Sequence, residues 1–307
     1  MKPLPTILSL HMLIAANTPA FAGFAGADPF DFLLMESGAR QSAIGGAFVS
    51  GSNDANVLAY NPAGLGAMER NHMSFMHTSH FEGVAREHAA VGLQSGLGAS
   101  IDFLRYGPVS RTTLSNPSGA GAEGFTPTAL VAAIGFGRPL GHSWRLGGAA
   151  KYARQEIDGI AASAYALDAG VQTLLLENPG VILGVSLQNF GTRAKFQATS
   201  ESLPQTVRSG GALRTSLLGL PLGLSIDLDK ASGRDLVIHA GAEATVLEAL
   251  ALRLGYNTRN EAGPGVSFGF GVVHSGFSFD YALVPFGVLG TSHQISLGLQ
   301  WGDWSIR

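Results

Sequence analysis

Apolar residues alternate strictly with small or polar residues along the C-terminal part of the chain, in runs of about ten residues separated by turns. Leu224 and Ile226 alternate with Ser225 and Asp227, and the same pattern fills 293–301. Because successive side chains of a strand point to opposite faces, each run predicts a strand with one apolar and one small or polar face. Strands of this length and pattern are typical of membrane-spanning β-barrels.

The alternation predicts fourteen strands after residue 71. They cover 72–80, 86–94, 97–106, 126–137, 142–154, 161–173, 180–190, 206–216, 220–229, 235–244, 249–258, 264–273, 276–283 and 293–301. The predicted fold class is therefore all-β, a transmembrane antiparallel β-barrel of about 14 strands that occupies residues 72–307.

The lengths of the connections support the barrel independently. The three longest predicted connections, 107–125, 191–205 and 284–292, all follow odd-numbered strands, whereas most even-numbered connections are short. Outer-membrane barrels alternate long external loops with short periplasmic turns, and an even strand number places both chain ends on the periplasmic side. The connection 174–179 fits this parity least well, because it is no shorter than 155–160.

The first 22 residues have the pattern of a secretory signal peptide. Lys2 supplies the positive charge, 7–16 form a short apolar core, and Ala20 and Ala22 have the spacing of a cleavage site. We expect cleavage after Ala22 and localisation in the outer membrane of a Gram-negative-type bacterium.

Residues 23–71 do not alternate and are predicted to form an N-terminal hatch segment. An apolar cluster at 30–35 is followed by a stretch rich in Gly and Ala that ends in the sequence NPAGL at 61–65. Small residues permit close backbone packing, and a large barrel has a lumen to fill, so a plug inside the barrel is favoured over a free tail.

Composition agrees with a barrel and excludes several other classes. Charged residues make up only 13% of the chain, and the mean hydropathy is +0.21. The 42 glycines fit turns and a tightly filled lumen, and the absence of Cys excludes disulfides and thiolate chemistry. A formal net charge of −3 without a basic run argues against binding to nucleic acid.

An ordered set of motifs resembles the N-terminal signature of the PorV/PorQ family, part of the wider FadL-like group of outer-membrane barrels. The set is SGAR (37–40), IGGAFV (44–49), NDAN (53–56) and YNPAGL (60–65), with further agreement at 203–208, 210–212, 277–282, 285–287, 289–290 and 295–299. The chain departs from the family pattern at Tyr60, where Trp is frequent, at Val288, near which an acidic residue is usual, and beyond Trp301, where members tend to end.

The resemblance implies a fourteen-stranded barrel with an N-terminal hatch and leaves two functions open. FadL-like members pass long-chain fatty acids or other hydrophobic molecules, whereas PorV serves type IX secretion by carrying cargo proteins. The terminal strand resembles the signal that the barrel-insertion machinery reads, for which Trp301 is the candidate and Trp304 the alternative. Outer-membrane lipid, the insertion machinery, and either a hydrophobic small molecule or secreted cargo are the expected partners.

Two sets of candidate functional residues follow. Hatch or gating candidates lie in the family-like motifs and are Arg40, Gly45, Gly46, Asn61, Pro62 and Gly64. A rigid turn at NPAG and close packing at the glycine pair are the simpler interpretations and are favoured over gating. Polar candidates for the lumen, which either bind a substrate carboxylate or pair with one another to hold the hatch, are Arg145, Lys151, Arg208, Asp227 and His239. Arg40 and Arg208 are also candidates for an ion pair between hatch and wall.

No catalytic residue, metal site or cofactor is predicted. His72, His77, His80 and His88 are clustered, but strand spacing separates His72 and His80 by roughly 26 Å. Solvated histidines at strand ends are therefore favoured over a metal site.

Three functions compete at this point. The first is a non-enzymatic outer-membrane channel or binding site for hydrophobic small molecules, and the second is a scaffold or shuttle for secreted proteins. The third, a soluble secreted β-protein, would require the outward apolar stripes to pack against one another. None of the inward-facing serines has a sequence context that nominates it as a nucleophile.

Overall fold

The computed structural model describes residues 29–197 and 199–302. The predicted signal peptide, its cleavage position and Trp304 lie outside the described residues. Within the described ranges no helix is long and apolar enough to cross a membrane.

Strands dominate the chain after residue 70, as the alternation predicts. They are β1 (Asn71–Ser79), β2 (Ala85–Gly92), β3 (Leu97–Arg105), β4 (Thr128–Leu140), β5 (Trp144–Ile157), β6 (Ile160–Leu176), β7 (Gly180–Gly191), β8 (Ala194–Phe196), β9 (Thr199–Glu201), β10 (Thr206–Leu217), β11 (Leu220–Ala231), β12 (Leu236–Val246), β13 (Leu250–Asn257), β14 (Val266–His274), β15 (Phe277–Pro285) and β16 (Thr291–Trp301).

Fourteen of these strands close into one antiparallel barrel, which confirms the predicted fold class. Each barrel strand pairs with its neighbours in sequence, β7 pairs with β10, and β1 pairs with β16 to close the ring. The closing register joins Asn71 to Trp301 and Ser79 to His293. The remaining two strands, β8 and β9, form a separate hairpin between β7 and β10 that the alternation does not predict.

The helices are short and lie mainly before β1. Among the described residues the α-helices are α1 (Ala39–Ala43) and α2 (Val57–Tyr60), and 3-10 helices cover Asp31–Leu34, Pro62–Ala67, Phe81–Gly83 and Gly287–Leu289. Helices of this length make few internal hydrogen bonds, so their backbone groups need partners elsewhere.

The connections sort by parity at the two ends of the barrel. At what we call the long-loop end they are 80–84, 106–127, 158–159, 192–205, 232–235, 258–265 and 286–290; at the short-turn end they are 93–96, 141–143, 177–179, 218–219, 247–249 and 275–276. The prediction is wrong in detail at 155–160 and 174–179, because β5 and β6 extend further and leave only two residues, 158–159, in a long-loop connection.

Tight turns carry a local sequence signal. Asp158–Gly159, Leu218–Gly219 and Ser275–Gly276 all have positive φ at both residues. This conformation belongs to two-residue hairpin turns whose twist matches that of the flanking strands, and glycine adopts it without steric cost.

The outer surface of the barrel is apolar and the inner surface polar. Outward side chains such as Phe75 and Leu252 are about half exposed, Ile134 is 67% exposed, and Trp301 at the end of β16 is 40% exposed. Inward positions of the same strands carry buried Ser, Thr, Gln, Asp, His and Arg. This distribution matches a barrel surrounded by lipid.

Residues 29–70, which we call the N-terminal segment, cross the lumen from one end to the other. Phe30 and Phe32 pack at the long-loop end against Leu104 and Leu203. The segment leaves the lumen at the short-turn end, where β1 begins at Asn71.

Glycines of the inner wall allow the N-terminal segment to approach the strands closely. Gly137, Gly147 and Gly170 are neighbours on β4, β5 and β6. A Cβ on Gly137 would lie 2.6 Å from the carbonyl oxygen of Pro62, and a Cβ on Gly147 or Gly170 would collide with Pro62 or Asn61. This row of glycines therefore forms the surface on which the NPAGL sequence packs.

We expect the Gly147→Ala variant to be less stable than the Gly223→Ala variant. The added methyl at 147 meets the backbone of Pro62 and Ala63, whereas at 223 its nearest neighbour is the Glu243 carbonyl at 3.9 Å. Overpacking of this kind costs about 1–3 kcal/mol. Thermal unfolding in detergent should show a lower midpoint for Gly147→Ala alone; equal midpoints would contradict the close approach.

Candidate functional site

The inner wall supplies hydrogen-bond partners for the backbone of the N-terminal segment. Asp227 Oδ2 on β11 accepts from the amides of Phe48 and Val49 at 2.7 and 2.8 Å. Gln172 Nε2 on β6 donates to the carbonyls of Val49 and Gly51 at 3.0 and 2.9 Å. Because buried peptide groups are costly to leave unpaired, these contacts hold the segment in one position.

Arg40 connects the segment to a buried charge network on the wall. It donates to both carboxylate oxygens of Glu243 on β12, at 2.9 and 2.7 Å, and lies 3.7 Å from Asp54. Arg253 on β13 bridges Glu243 and Asp280 at 2.6 and 2.7 Å. The negative charge of Glu243 raises the pKa of the Arg40 guanidinium against the opposing effect of burial, so Arg40 stays cationic.

A second network surrounds Arg208 and His239, two of the predicted lumenal residues. Arg208 Nη2 lies 3.1 Å from both Asp229 Oδ2 and His239 Nε2, and His239 Nδ1 lies 2.7 Å from the Gly45 carbonyl. Since Arg208 can only donate, Nε2 accepts from it, and Nδ1 is free to donate to the Gly45 carbonyl. The wall thus binds the segment at Gly45, while Arg208 itself pairs with the wall and lies over the Tyr60 ring.

The other predicted lumenal residues are on β5. Lys151 Nζ pairs with Asp168 on β6 at 2.6 Å and donates to Asn189 at 3.1 Å. Arg145 faces the same way and is half-buried near the short-turn end. The predicted polar residues therefore lie in separate groups.

The predicted gating residues occupy two contact regions. Asn61 is fully buried; its Oδ1 accepts from Ala63 N, and its Nδ2 donates to the carbonyls of Val49 and Val171 at 3.0 and 3.1 Å. Pro62 follows as the first residue of a 3-10 helix. These contacts fit the rigid-turn interpretation of the NPAG sequence.

The glycines among the gating candidates allow close packing. Gly45 and Gly46 have φ of +66° and +83°. A Cβ on Gly45 would lie 2.5 Å from the Tyr256 carbonyl, and one on Gly64 would lie 2.8 Å from the Val57 Cβ. Larger residues have no space at these positions.

Three of the four clustered histidines have separate partners, and His72 and His88 are buried rather than solvated as predicted. His72 Nδ1 accepts from Ala55 N at 2.9 Å, and His77 lies 2.7 Å from Glu87. His88 lies between Asp102 and Asn56, at 2.9 and 3.0 Å. Among residues 29–197 and 199–302, no group of three His, Cys, Asp or Glu side chains has metal-binding geometry.

Several residues of these networks were not among the predicted functional residues. Alternation already places Asp102, Arg253 and Asp280 inward, so this signal could have nominated them. Asp54 and Glu36 lie in the segment without periodicity, where no comparable signal exists. Asp54 pairs with Arg40 within the same segment, whereas the partner of Glu36 is Asn257, which is 221 residues away.

The segment divides the lumen into two cavities. The long-loop cavity, about 290 Å³, extends down to Ser42 and Gly45, and the short-turn cavity, about 400 Å³, extends up to Arg40 and Ile44. The partition between them is α1 with residues 44–48. A smaller cavity of about 50 Å³ lies beside the partition. Tyr60 and Arg208 both line it, so it adjoins the Arg208 network.

Comparison with known proteins gives one family match and one curated relative. Residues 14–143 match the model of the uncharacterised protein family UPF0164. A UPF0164 protein of Treponema pallidum (strain Nichols) is 26% identical over 182 residues, which cover 55% of this chain and 46% of that protein. The chain therefore spans about half the length of the curated relative that it matches.

Solved structures of hydrocarbon channels share the fold. The toluene transporter TodX of Pseudomonas putida aligns with a TM-score of 0.58 at 12% identity, over 86% of this chain and 97% of its own. The toluene transporter TbuX of Ralstonia pickettii aligns with a TM-score of 0.56 at 14% identity, over 88% and 100%. At these identities the similarity concerns the barrel architecture. The PorV/PorQ assignment stays a prediction.

We expect Arg40 and Glu243 to be energetically coupled. In a double-mutant cycle of Arg40→Gln and Glu243→Gln, each single variant leaves the other partner without its bidentate contact, so the double variant should lose less stability than the sum. Coupling between contacting groups is roughly 0.5–3 kcal/mol. Denaturant unfolding in detergent measures it.

A matched control cycle uses His142 and Glu177, which lie 2.8 Å apart with side chains 86% and 69% exposed. An exposed pair contributes little, about 0–1 kcal/mol. Additive effects in the Arg40 cycle would contradict a structural role for that pair.

Proposed function

We propose that this protein is a non-enzymatic outer-membrane channel for hydrophobic small molecules, with residues 23–71 as its hatch. The division of the lumen by α1 and residues 44–48 carries the proposal, because it leaves one cavity open toward each end. The fold shared with TodX and TbuX, both described as toluene transporters, supports the substrate class. The long-loop end faces the exterior, and the short-turn end faces the periplasm.

The proposal includes delivery to the membrane. A signal peptide cleaved near Ala22 directs the chain to the periplasm, and Trp301, the last residue of β16, is the signal for the barrel-insertion machinery. Lipid then surrounds the outward apolar surface.

Passage requires the partition to move, and the contacts of Arg40 suit such a movement. Arg40 is 33% exposed and faces two carboxylates, Glu243 at 2.7 Å and Asp54 at 3.7 Å. When Arg40 leaves Glu243, the carboxylate keeps Arg253, and Arg40 keeps Asp54. Neither charge is left unpaired, so the exchange avoids most of the cost of breaking a buried ion pair.

A disulfide between segment and wall should block passage. The amide of Ala39, at the start of α1, donates to Ser296 Oγ on β16 at 2.9 Å, and the chain has no native Cys. We expect the oxidised Ala39→Cys/Ser296→Cys variant to stop the uptake of radiolabelled toluene by cells that express it, and reduction to restore uptake.

Each single cysteine variant serves as a control for the substitution, and cells without the protein give the background. Wild-type uptake no higher than background would overturn the channel. Uptake above background that the disulfide leaves unchanged would overturn the hatch while preserving the channel.

A scaffold or shuttle for secreted proteins, as the resemblance to PorV implies, is the second candidate. The exposed connection 106–127 favours it, since Leu114 is fully exposed and Val109 is 43% exposed at the long-loop end. Exposed apolar side chains on loops suit protein docking. Loss of surface-protein export in a deletion strain, with toluene uptake unchanged, would favour this candidate over the channel.

A further inference from the structure

The long-loop cavity combines an apolar lining with polar groups that have no partner. Leu34 and Met35 of the segment and Val284 and Phe286 at the end of β15 form its apolar part. The cavity of about 290 Å³ is close to the lower limit of typical small-molecule sites, roughly 300 Å³.

Two of the unpartnered groups are neighbours on the closing strands. Thr78 on β1 and Gln294 on β16 are directly opposite in the register, and both line the cavity. Thr78 is 2% exposed and Gln294 7% exposed, yet neither Thr78 Oγ1 nor Gln294 Oε1 has a hydrogen-bond partner. Buried polar atoms in this state are costly, so a ligand that supplies the missing partner gains affinity from them.

Two further neutral groups complete the polar lining. Ser42 Oγ in α1 and His80 Nδ1 after β1 also lack partners. Burial, together with the charge of Arg86, lowers the pKa of His80 to about 4, so its imidazole is neutral at pH 7. The four unpartnered groups thus offer hydroxyl, amide and imidazole atoms without a formal charge.

The arginines that line the cavity are already paired. Arg86 bonds to Asp102, Arg234 to Asp31 and Arg259 to Asp229. Glu36 accepts from Asn257 Nδ2 at 2.8 Å and is the remaining carboxylate among the described lining residues. Each lining arginine therefore already has a carboxylate partner, and Glu36 adds a negative charge to the lining.

We propose that the long-loop cavity selects neutral, mainly apolar molecules that carry one hydroxyl group, such as phenols. The apolar body packs against Met35 and Phe286. The hydroxyl donates to Gln294 Oε1 and accepts from Thr78 Oγ1. This inference rests on the proposed channel function and narrows its substrate class from hydrocarbons in general to hydroxylated ones.

A set of matched probes tests the selection. p-Cresol and p-xylene differ by one hydroxyl in place of a methyl, and p-toluate adds a negative charge. Equilibrium dialysis of the full mature chain in detergent, corrected with protein-free micelles, gives the affinity for each probe at pH 7. We expect p-cresol to bind about tenfold or more tightly than p-xylene, since one hydrogen bond to a buried group discriminates by about that factor, and p-toluate to bind most weakly.

The variant Thr78→Val removes the hydroxyl and keeps the β-branched shape. We expect it to lose most of the preference for p-cresol while its affinity for p-xylene is unchanged. Ser79→Ala is the control, because Ser79 is the next residue of β1 and faces outward. If Thr78→Val still prefers p-cresol over p-xylene, the proposed role of the Thr78 hydroxyl is wrong.

The failure of this inference is distinguishable from that of the channel. Equal affinities for p-xylene and p-cresol in the wild-type protein, with toluene uptake intact, would overturn the selection and leave the channel standing. Tight binding of p-toluate would also overturn it. If no probe binds and no uptake is seen, both proposals are wrong.

Discussion

The inward polar side chains of the barrel hold a segment that cannot satisfy its own backbone. With α1 spanning five residues and α2 four, most peptide groups of residues 29–70 need external partners. Asp227 on β11 and Gln172 on β6 supply such partners around Val49. The wall glycines bring these partners within reach, because any side chain at Gly147 would keep the segment away from the strands. The position of the partition, and hence the division of the lumen, depends on this combination.

The lumen holds both paired charges and unpartnered neutral groups. At the partition, ionised groups face one another in pairs and triads, as around Arg40 and Arg253. Toward the long-loop end, the unpartnered groups at Thr78 and Gln294 are neutral. Paired charges in a confined space resist rearrangement unless each keeps a partner, whereas neutral groups exchange water for a ligand at low cost. The first arrangement suits a gate and the second a binding site.

Alternation predicted the barrel well because each strand carries its own signal. It placed Asp227 and His239 inward, but it could not predict that they bind Phe48, Val49 and Gly45, since no local pattern encodes a partner nearly 200 residues away. The β8–β9 hairpin was missed because three-residue strands are too short to show a period. The ends of β5 and β6 were misjudged because alternation continues through residues expected to form loops.

The wall residues that contact the N-terminal segment could not be predicted from the sequence for a related reason. NPAGL was interpreted as a rigid turn, and in the structure Pro62–Ala67 form a 3-10 helix. The row at Gly137, Gly147 and Gly170 was visible in the sequence only as scattered glycines. Their common role depends on the register of β4, β5 and β6, which brings them side by side. Only pairing between strands converts such residues into a surface.

The closing seam sets an order of assembly. Ala39 bonds to Ser296, 257 residues later, and β1 completes the ring by pairing with β16. Neither contact can form before β16 is present, although Ala39 and β1 come early in the chain. The N-terminal segment therefore cannot make all of its contacts until almost the whole barrel has formed. Contacts of such high sequence separation form slowly, which makes the interval before closure the period when the chain most needs protection from aggregation.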